Sequence, residues 1–353
     1  MITKAAIRIY KWIILSVMFQ VLVLVFFNNI YLAGRGEATA TLSEDKDQDK
    51  QNYKKQAITV SIPDSAINPR VSFDNTYVSY VLDGKLEIYD IKNKKIVKSI
   101  SHKKDIITYY RWLSDRNMII YSVRTPNDEP GAVQIITYSV DTEVQHDYPR
   151  ITGLPRKSEV VSIELSHLTN SVYTKVKTNE NDAKIYRYNV MSQLFHVTNT
   201  SSETVTKEMH YKDKLVYQDD KYKINVFTWS EPRGATVTMP FKNKMALIGI
   251  VGSDDEIYLG EMDSDNKVHR VIYGRSNVDP EKEWKQLSLK TPTSPENLVV
   301  APNGSVFELI DSKKVIYNIS ENTELSYSGK FVEVSDKHIV TLDGKELKIA
   351  ELE

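Results

Sequence analysis

The chain contains no cysteine. That excludes structural disulfides, thiolate metal sites, a cysteine nucleophile and a lipid-modified cysteine anchor, and it suits an exported protein that avoids stray thiol chemistry. Glycine is sparse as well, with 13 copies in 353 residues, and none are grouped into a phosphate-cradling loop. Neither sign of charge dominates: 46 Lys+Arg face 47 Asp+Glu, a net charge of −1. No overall field therefore points to nucleic acid or an acidic polymer as partner. The sequence holds no G-x-S-x-G nucleophile elbow and no H-E-x-x-H zinc motif. Its seven histidines (102, 146, 167, 196, 210, 269, 338) are scattered one to a region. No enzyme, cofactor or metal is implied.

One long apolar run is present. From Trp12 to Gly34 the chain has 23 residues without a charge, enough at about 1.5 Å per residue to span roughly 30 Å of hydrocarbon. Lys4, Arg8 and Lys11 precede it and only Arg35 follows closely, so the positive-inside rule places residues 1–11 in the cytoplasm. Tyr10, Trp12 and Tyr31 stand where interfacial anchors stand. The expectation is a single-pass signal-anchor helix over 12–34, with everything after it outside the cytoplasm. A cleaved signal peptide is the competing reading, since Ala38-Thr39-Ala40 has residues of the size a peptidase needs. Residues 35–55 are polar, charged and aperiodic, and read as a flexible tether. Within them, EDKDQDK lacks the glycine and glutamate of a calcium loop.

From residue 56 onward the signals are those of strands. Tyrosine reaches 21 copies, with abundant Val, Ile and Thr. The stretch 71–100 sets the pattern: a short strand, a polar turn at Asp74-Asn75, an alternating run, a tight Asp83-Gly84 turn, and two more strands. The same order recurs over 109–148, 161–199, 208–240, 246–289 and 297–328. Residues 331–352 supply only three strands, and 56–63 (QAITVSIP) is an orphan strand able to complete them. Four-strand repeats of this length are the signature of a β-propeller. The prediction is an all-β propeller over 56–353, with seven blades and the N-terminal strand closing the ring. Six or eight blades, or a pair of sandwiches, are the alternatives.

Three turns carry a resemblance. Pro69–Tyr80 (PRVSFDNTYVSY) and Trp112–Tyr121 (WLSDRNMIIY) are similar to degenerate copies of the W-S-P-D-G-K-x-hydrophobic-A-Y repeat, and Asn303-Gly304 in VVAPNGSVFEL is a third such turn. That repeat belongs to the propellers of the Tol-system periplasmic protein and of the dipeptidyl-peptidase IV type, within the wider WD-like superfamily. The resemblance implies the fold. In the peptidases the propeller gates a separate hydrolase domain, whose nucleophile motif is missing here.

Trp112 and Tyr110 are expected to fill the gap between adjacent blades, and Trp229 likewise. Asp263–Lys267 reads as a hairpin turn. Asp74, Asp115, Asp213 and Asp254 fall in inner turns and are the acids that a propeller-based hydrolase or lyase would need, although turn capping accounts for them. Two loops exceed the repeat. Arg124–Gly131 offers Arg124, Asn127 and Glu129, and Gly274–Trp284 offers Arg275, Asp279 and Trp284, as partner-binding residues. The function this suggests is a membrane-anchored, non-catalytic docking module of a bacterial cell envelope, with an envelope or membrane protein as partner. A module binding glycan or peptide is the alternative.

Overall fold

A computed structural model of the protein describes residues 11–12, 16–20, 58–126, 129–166, 168–230, 234–252, 254–334 and 338–351. The chain divides into two units, Met1–Tyr53 and Lys54–Glu353. In the first, Lys11–Trp12 and Ser16–Gln20 are helical. Among the described residues no helix is long and apolar enough to cross a membrane. Most of the expected anchor, and the expected tether at 35–55, lie outside the described residues.

The second unit is a seven-bladed β-propeller. Strand β1 (Ile58–Ser61) comes first and stands apart from its sequence neighbours. Blade 1 is β2 (Ile67–Val71), β3 (Tyr77–Leu82), β4 (Lys85–Asp90) and β5 (Lys95–Ile100). Blade 2 contains β6 (Ile106–Trp112), β7 (Met118–Arg124), β8 (Gly131–Ser139), β9 (Gln145–Asp147) and β10 (Ile151–Leu154). Blade 3 is β11 (Glu159–Leu165), β12 (Val172–Lys177), β13 (Asp182–Tyr188) and β14 (Leu194–Ser201). Blade 4 is β15 (Val205–Glu208), β16 (Lys214–Gln218), β17 (Ile224–Thr228) and β18 (Ala235–Thr238). Blade 5 is β19 (Met245–Val251), β20 (Glu256–Met262), β21 (Val268–Gly274) and β22 (Lys285–Thr293). Blade 6 is β23 (Leu298–Val300), β24 (Val306–Ile310), β25 (Val315–Asn318) and β26 (Thr323–Ser326). Blade 7 has β27 (Lys330–Val334), β28 (His338–Asp343) and β29 (Glu346–Glu351), and β1 adds its fourth strand by pairing Ile58 with Ile349 and Ser61 with Glu346. Closure by the N-terminal strand is as the sequence predicted.

The hairpins follow local chemistry. Asp83 and Gly84 both take positive φ (49° and 74°), the geometry of a two-residue turn whose twist matches its strands. Blade 2 departs from expectation. The sequence predicts one last strand at Val144–Tyr148, whereas β9 covers only three residues, and β10 continues the edge by pairing Ile151 with Val133. The nine-residue β8 is longer than β9 can cover, and Pro149, lacking an N–H, breaks the edge into two pieces.

The core is distributed between blades rather than gathered in one place. Seven buried apolar clusters occupy the seven gaps between successive blades among the described residues. Each sheet exposes apolar residues on both faces, so a blade is stable only when flanked. Trp112 and Tyr110 sit in the gap between blades 1 and 2, where the Trp112 indole donates to Ser79 Oγ at 2.8 Å and the Tyr110 hydroxyl to the Ser79 carbonyl at 3.1 Å. Tyr77 stacks on Trp112 at 6.2 Å. This is the structural role expected of them. The gaps between blades 3 and 4 and between blades 6 and 7 have the smallest clusters, with four buried residues each.

Strand direction sorts the loops onto two end faces. Turns from first to second and from third to fourth strand emerge on one face, which is also where β1 begins; we call it the entry face. Turns from second to third strand, and the connectors between blades, emerge on the opposite face.

Candidate functional site

In the inner turns each candidate acid is engaged by neighbouring groups. Asp74 accepts from Ser72 Oγ at 3.0 Å, from the Thr76 amide at 2.9 Å and from Asn117 Nδ2 at 2.8 Å. Burial works against its charge, yet these donors hold its carboxyl below the ordinary range. Asp115 pairs with Arg116 at 2.9 Å, and Asp254 pairs with Arg275. Asp213 takes the guanidinium of Arg187, which is buried, and the Tyr173 hydroxyl at 2.6 Å. Turn capping and ion pairing therefore account for all four. Asp263 caps its own hairpin through the amides of Asp265 and Lys267, both at 2.9 Å. Among the described residues no three metal-capable side chains gather in a metal-holding arrangement.

The two long loops lie on opposite faces. Arg124–Gly131 joins second to third strand, and Gly274–Trp284 joins third to fourth, so the structure does not bring the two sets of candidate residues together. Arg124 ends β7; Thr125 is tied to Asp105 at 2.5 Å and to Arg150 at 2.9 Å; Glu129 precedes a cis Pro130; Asn127 lies outside the described residues. On the entry face, Asp279 opens a helical turn at Pro280–Glu283 and pairs with Lys282 at 3.2 Å. Trp284 is turned inward by its indole N–H, which donates to the Arg275 carbonyl at 3.0 Å.

That inward turn makes a candidate site. Asp279 and Trp284 line a groove of about 910 Å³ along the outer part of the gap between blades 4 and 5. The opposing wall is the blade 4 to blade 5 connector, Pro240–Asn243. Phe241 meets Trp284 edge-on at 5.5 Å, and Ile272 completes an apolar floor. Polar groups stand around it. Glu261, almost wholly buried, receives Arg270 Nε and Asn243 Nδ2, while Arg270 Nη1 also donates to Gln286 Oε1 at 3.2 Å. Burial pushes the Glu261 carboxyl up, but Arg270 and Asn243 outweigh that and hold it below its usual range, so it stays charged. Lys242 and Lys285 add cationic ammonium groups to the lining.

An apolar floor with a few fixed polar groups is the make-up of a ligand or peptide site, and the volume is in the usual range. Gly274 is part of the construction: a Cβ there would lie 2.5 Å from Trp284 Cδ1, so only glycine lets the indole fold back over the strand. Sequence reading found Trp284 and Asp279 through the length of their loop. It missed Phe241, Asn243, Glu261 and Arg270, because the connector looks like any other turn and the ion pair lies within ordinary strands.

No family model and no curated protein matches the chain. Solved structures do. The β-propeller domain of Cps50 (Swd1) from Myceliophthora thermophila superposes with TM-score 0.53 at 10% identity, covering 84% of this chain and 100% of that one. Hsv2 from Kluyveromyces lactis superposes with TM-score 0.50 at 13% identity, covering 79% and 90%. Both are WD40-like neighbours, and at such identities the likeness is one of fold.

Proposed function

We propose that the protein is a non-catalytic docking module: a propeller held outside the cytoplasm by the apolar segment 12–34, receiving an extended segment of an envelope or membrane protein in the groove between blades 4 and 5. The observation that carries this is the groove itself, in which Trp284 and Phe241 present an aromatic floor beside the fixed charges of Glu261, Arg270, Lys242 and Lys285. A floor of that kind takes an apolar side chain, while the cations take a carboxylate or backbone carbonyls of the same segment. The tether and the charge asymmetry around 12–34 support the location. The WD40-like fold is compatible with a scaffold.

Chemical cross-linking in the native membrane, followed by capture of the tagged full-length protein, tests this. The expected result is a defined protein partner whose recovery falls at least severalfold when Trp284 is replaced by Ala. Equal recovery with the variant removes the groove from the account. The glycan reading needs exposed aromatics at the mouth of the axis. Tyr110, Tyr121, Tyr173, Tyr188 and Tyr258 are buried in the gaps between blades, so that reading rests on Phe73 and Tyr211, the exposed aromatics of inner turns among the described residues.

A further inference from the structure

Turn tips in this protein are mostly polar, but on one sector of the entry face they are not. Leu168 in blade 3 is 67% exposed and Met191 in the same blade 70%. Val190 beside Met191, Val144 in blade 2, and Tyr211 in blade 4 are exposed too. Their backbones are fixed. The Leu168 amide donates to the His210 carbonyl at 3.2 Å, and Asn189 Oδ1 accepts from the Met191 and Gln193 amides at 3.0 and 2.9 Å. His146 Nε2 and Ser192 Oγ, 3.0 Å apart, bind the blade 2 edge to the blade 3 turn. These apolar side chains fill no core, and asparagine or serine would serve such turns as well. A patch of this kind marks a surface that another phase or molecule covers.

We infer that this sector of the entry face rests on the lipid bilayer, with Leu168, Val190 and Met191 inserted at the boundary between headgroups and acyl chains. The inference rests on the membrane anchoring proposed above. Two observations favour lipid over a protein. β1, which follows the apolar segment in sequence, begins on this face, with Ile58 paired to Ile349. The apolar residues are also projecting tips on neighbouring blades rather than the lining of a cleft, a shape suited to a flat, deformable surface. Lys92, Lys94 and Lys212 lie in turns on the same face and suit anionic headgroups, while Asp141 and Glu143 flank Val144, so blade 3 leads the insertion.

The absence of cysteine makes the test direct. Single substitutions Leu168→Cys, Met191→Cys and, on the opposite face, Lys313→Cys are each labelled with an environment-sensitive fluorophore. The full chain is then reconstituted into vesicles of phosphatidylcholine and phosphatidylglycerol, with brominated phosphatidylcholine as quencher. Bromolipid should quench the labels at 168 and 191 several-fold more strongly than the label at 313. Equal quenching at all three positions in a chain that floats with the vesicles and resists carbonate overturns the placement and leaves the anchor standing. A chain that does not float overturns the anchor and the placement with it. Labels at 168 and 191 that are open to aqueous iodide in these vesicles, but shielded in native membranes, assign the patch to a protein and also overturn the inference.

Discussion

Arg70 and Glu333 stand 263 residues apart in sequence and 3.2 Å apart in space. Glu333 Oε1 also accepts the Val71 amide at 2.8 Å. One carboxylate from the inner strand of blade 7 thus grips both side chain and backbone of the inner strand of blade 1, across the seam where the ring closes. Burial pushes the Glu333 carboxyl up, and Arg70 with the Val71 amide pulls against it.

Replacing Glu333 with Ala leaves the amide of buried Val71 without this acceptor, while the partly exposed Arg70 guanidinium keeps the Val332 carbonyl and water. The expected cost is about 1–3 kcal/mol, as for other buried groups left unsatisfied. Urea denaturation of the variant checks it, and a double variant that also replaces Arg70 with Met should recover part of the loss.

Trp112→Ala empties the gap between blades 1 and 2, where the indole is buried and bonded to Ser79. The expected cost is about 3–5 kcal/mol. Trp112→Phe keeps most of the packing and loses the bond, so it should cost markedly less. Denaturation midpoints of the two variants separate the contributions.

Glu208 sets the sign of one pH effect. Its side chain is buried, with His210 Nδ1 at 3.7 Å, and burial, reinforced by Glu164 and Asp255, pushes its carboxyl up to about 10. The folded state therefore binds a proton that the unfolded state releases above roughly pH 4.3. Stability from this group is fully present below that pH and is lost as pH rises toward 10. Glu208→Gln should match the wild type near pH 4 and exceed it increasingly at pH 7 and 9. Urea midpoints at the three pH values measure it, and a constant difference would contradict the burial argument.

Gly274→Ala probes the groove from behind. The added methyl meets the Trp284 ring, so the indole must move while the strand pairing of β21 remains. Partner recovery should fall as it does for Trp284→Ala, with little change in unfolding midpoint. A wild-type level of recovery would show that the indole's position is unimportant.

Much of the architecture was legible because a propeller repeats short-range signals. Asp83-Gly84, the alternating strands and the three-strand tail each speak through neighbours in sequence, and they were enough for blade number and for closure by β1. Asp74 caps its own turn, as its sequence neighbours suggest, whereas Asp115 and Asp254 are held by ion pairs with Arg116 and Arg275. The Arg70–Glu333 and Arg187–Asp213 pairs were not legible, since nothing local marks a partner 263 or 26 residues away. Neither was the groove, which needs the Pro240–Asn243 connector of one blade edge to face the loop of the next. The splitting of the blade 2 edge at Pro149 was hidden by a run that reads as one strand.

The most direct test of the docking account is site-specific photo-cross-linking in the native membrane. A photoreactive residue replaces Gln286, inside the groove, or Lys313, on the opposite face of blade 6. The account predicts a discrete adduct with one envelope or membrane protein from position 286 and none from 313. No adduct at 286, or the same products from both positions, would contradict it.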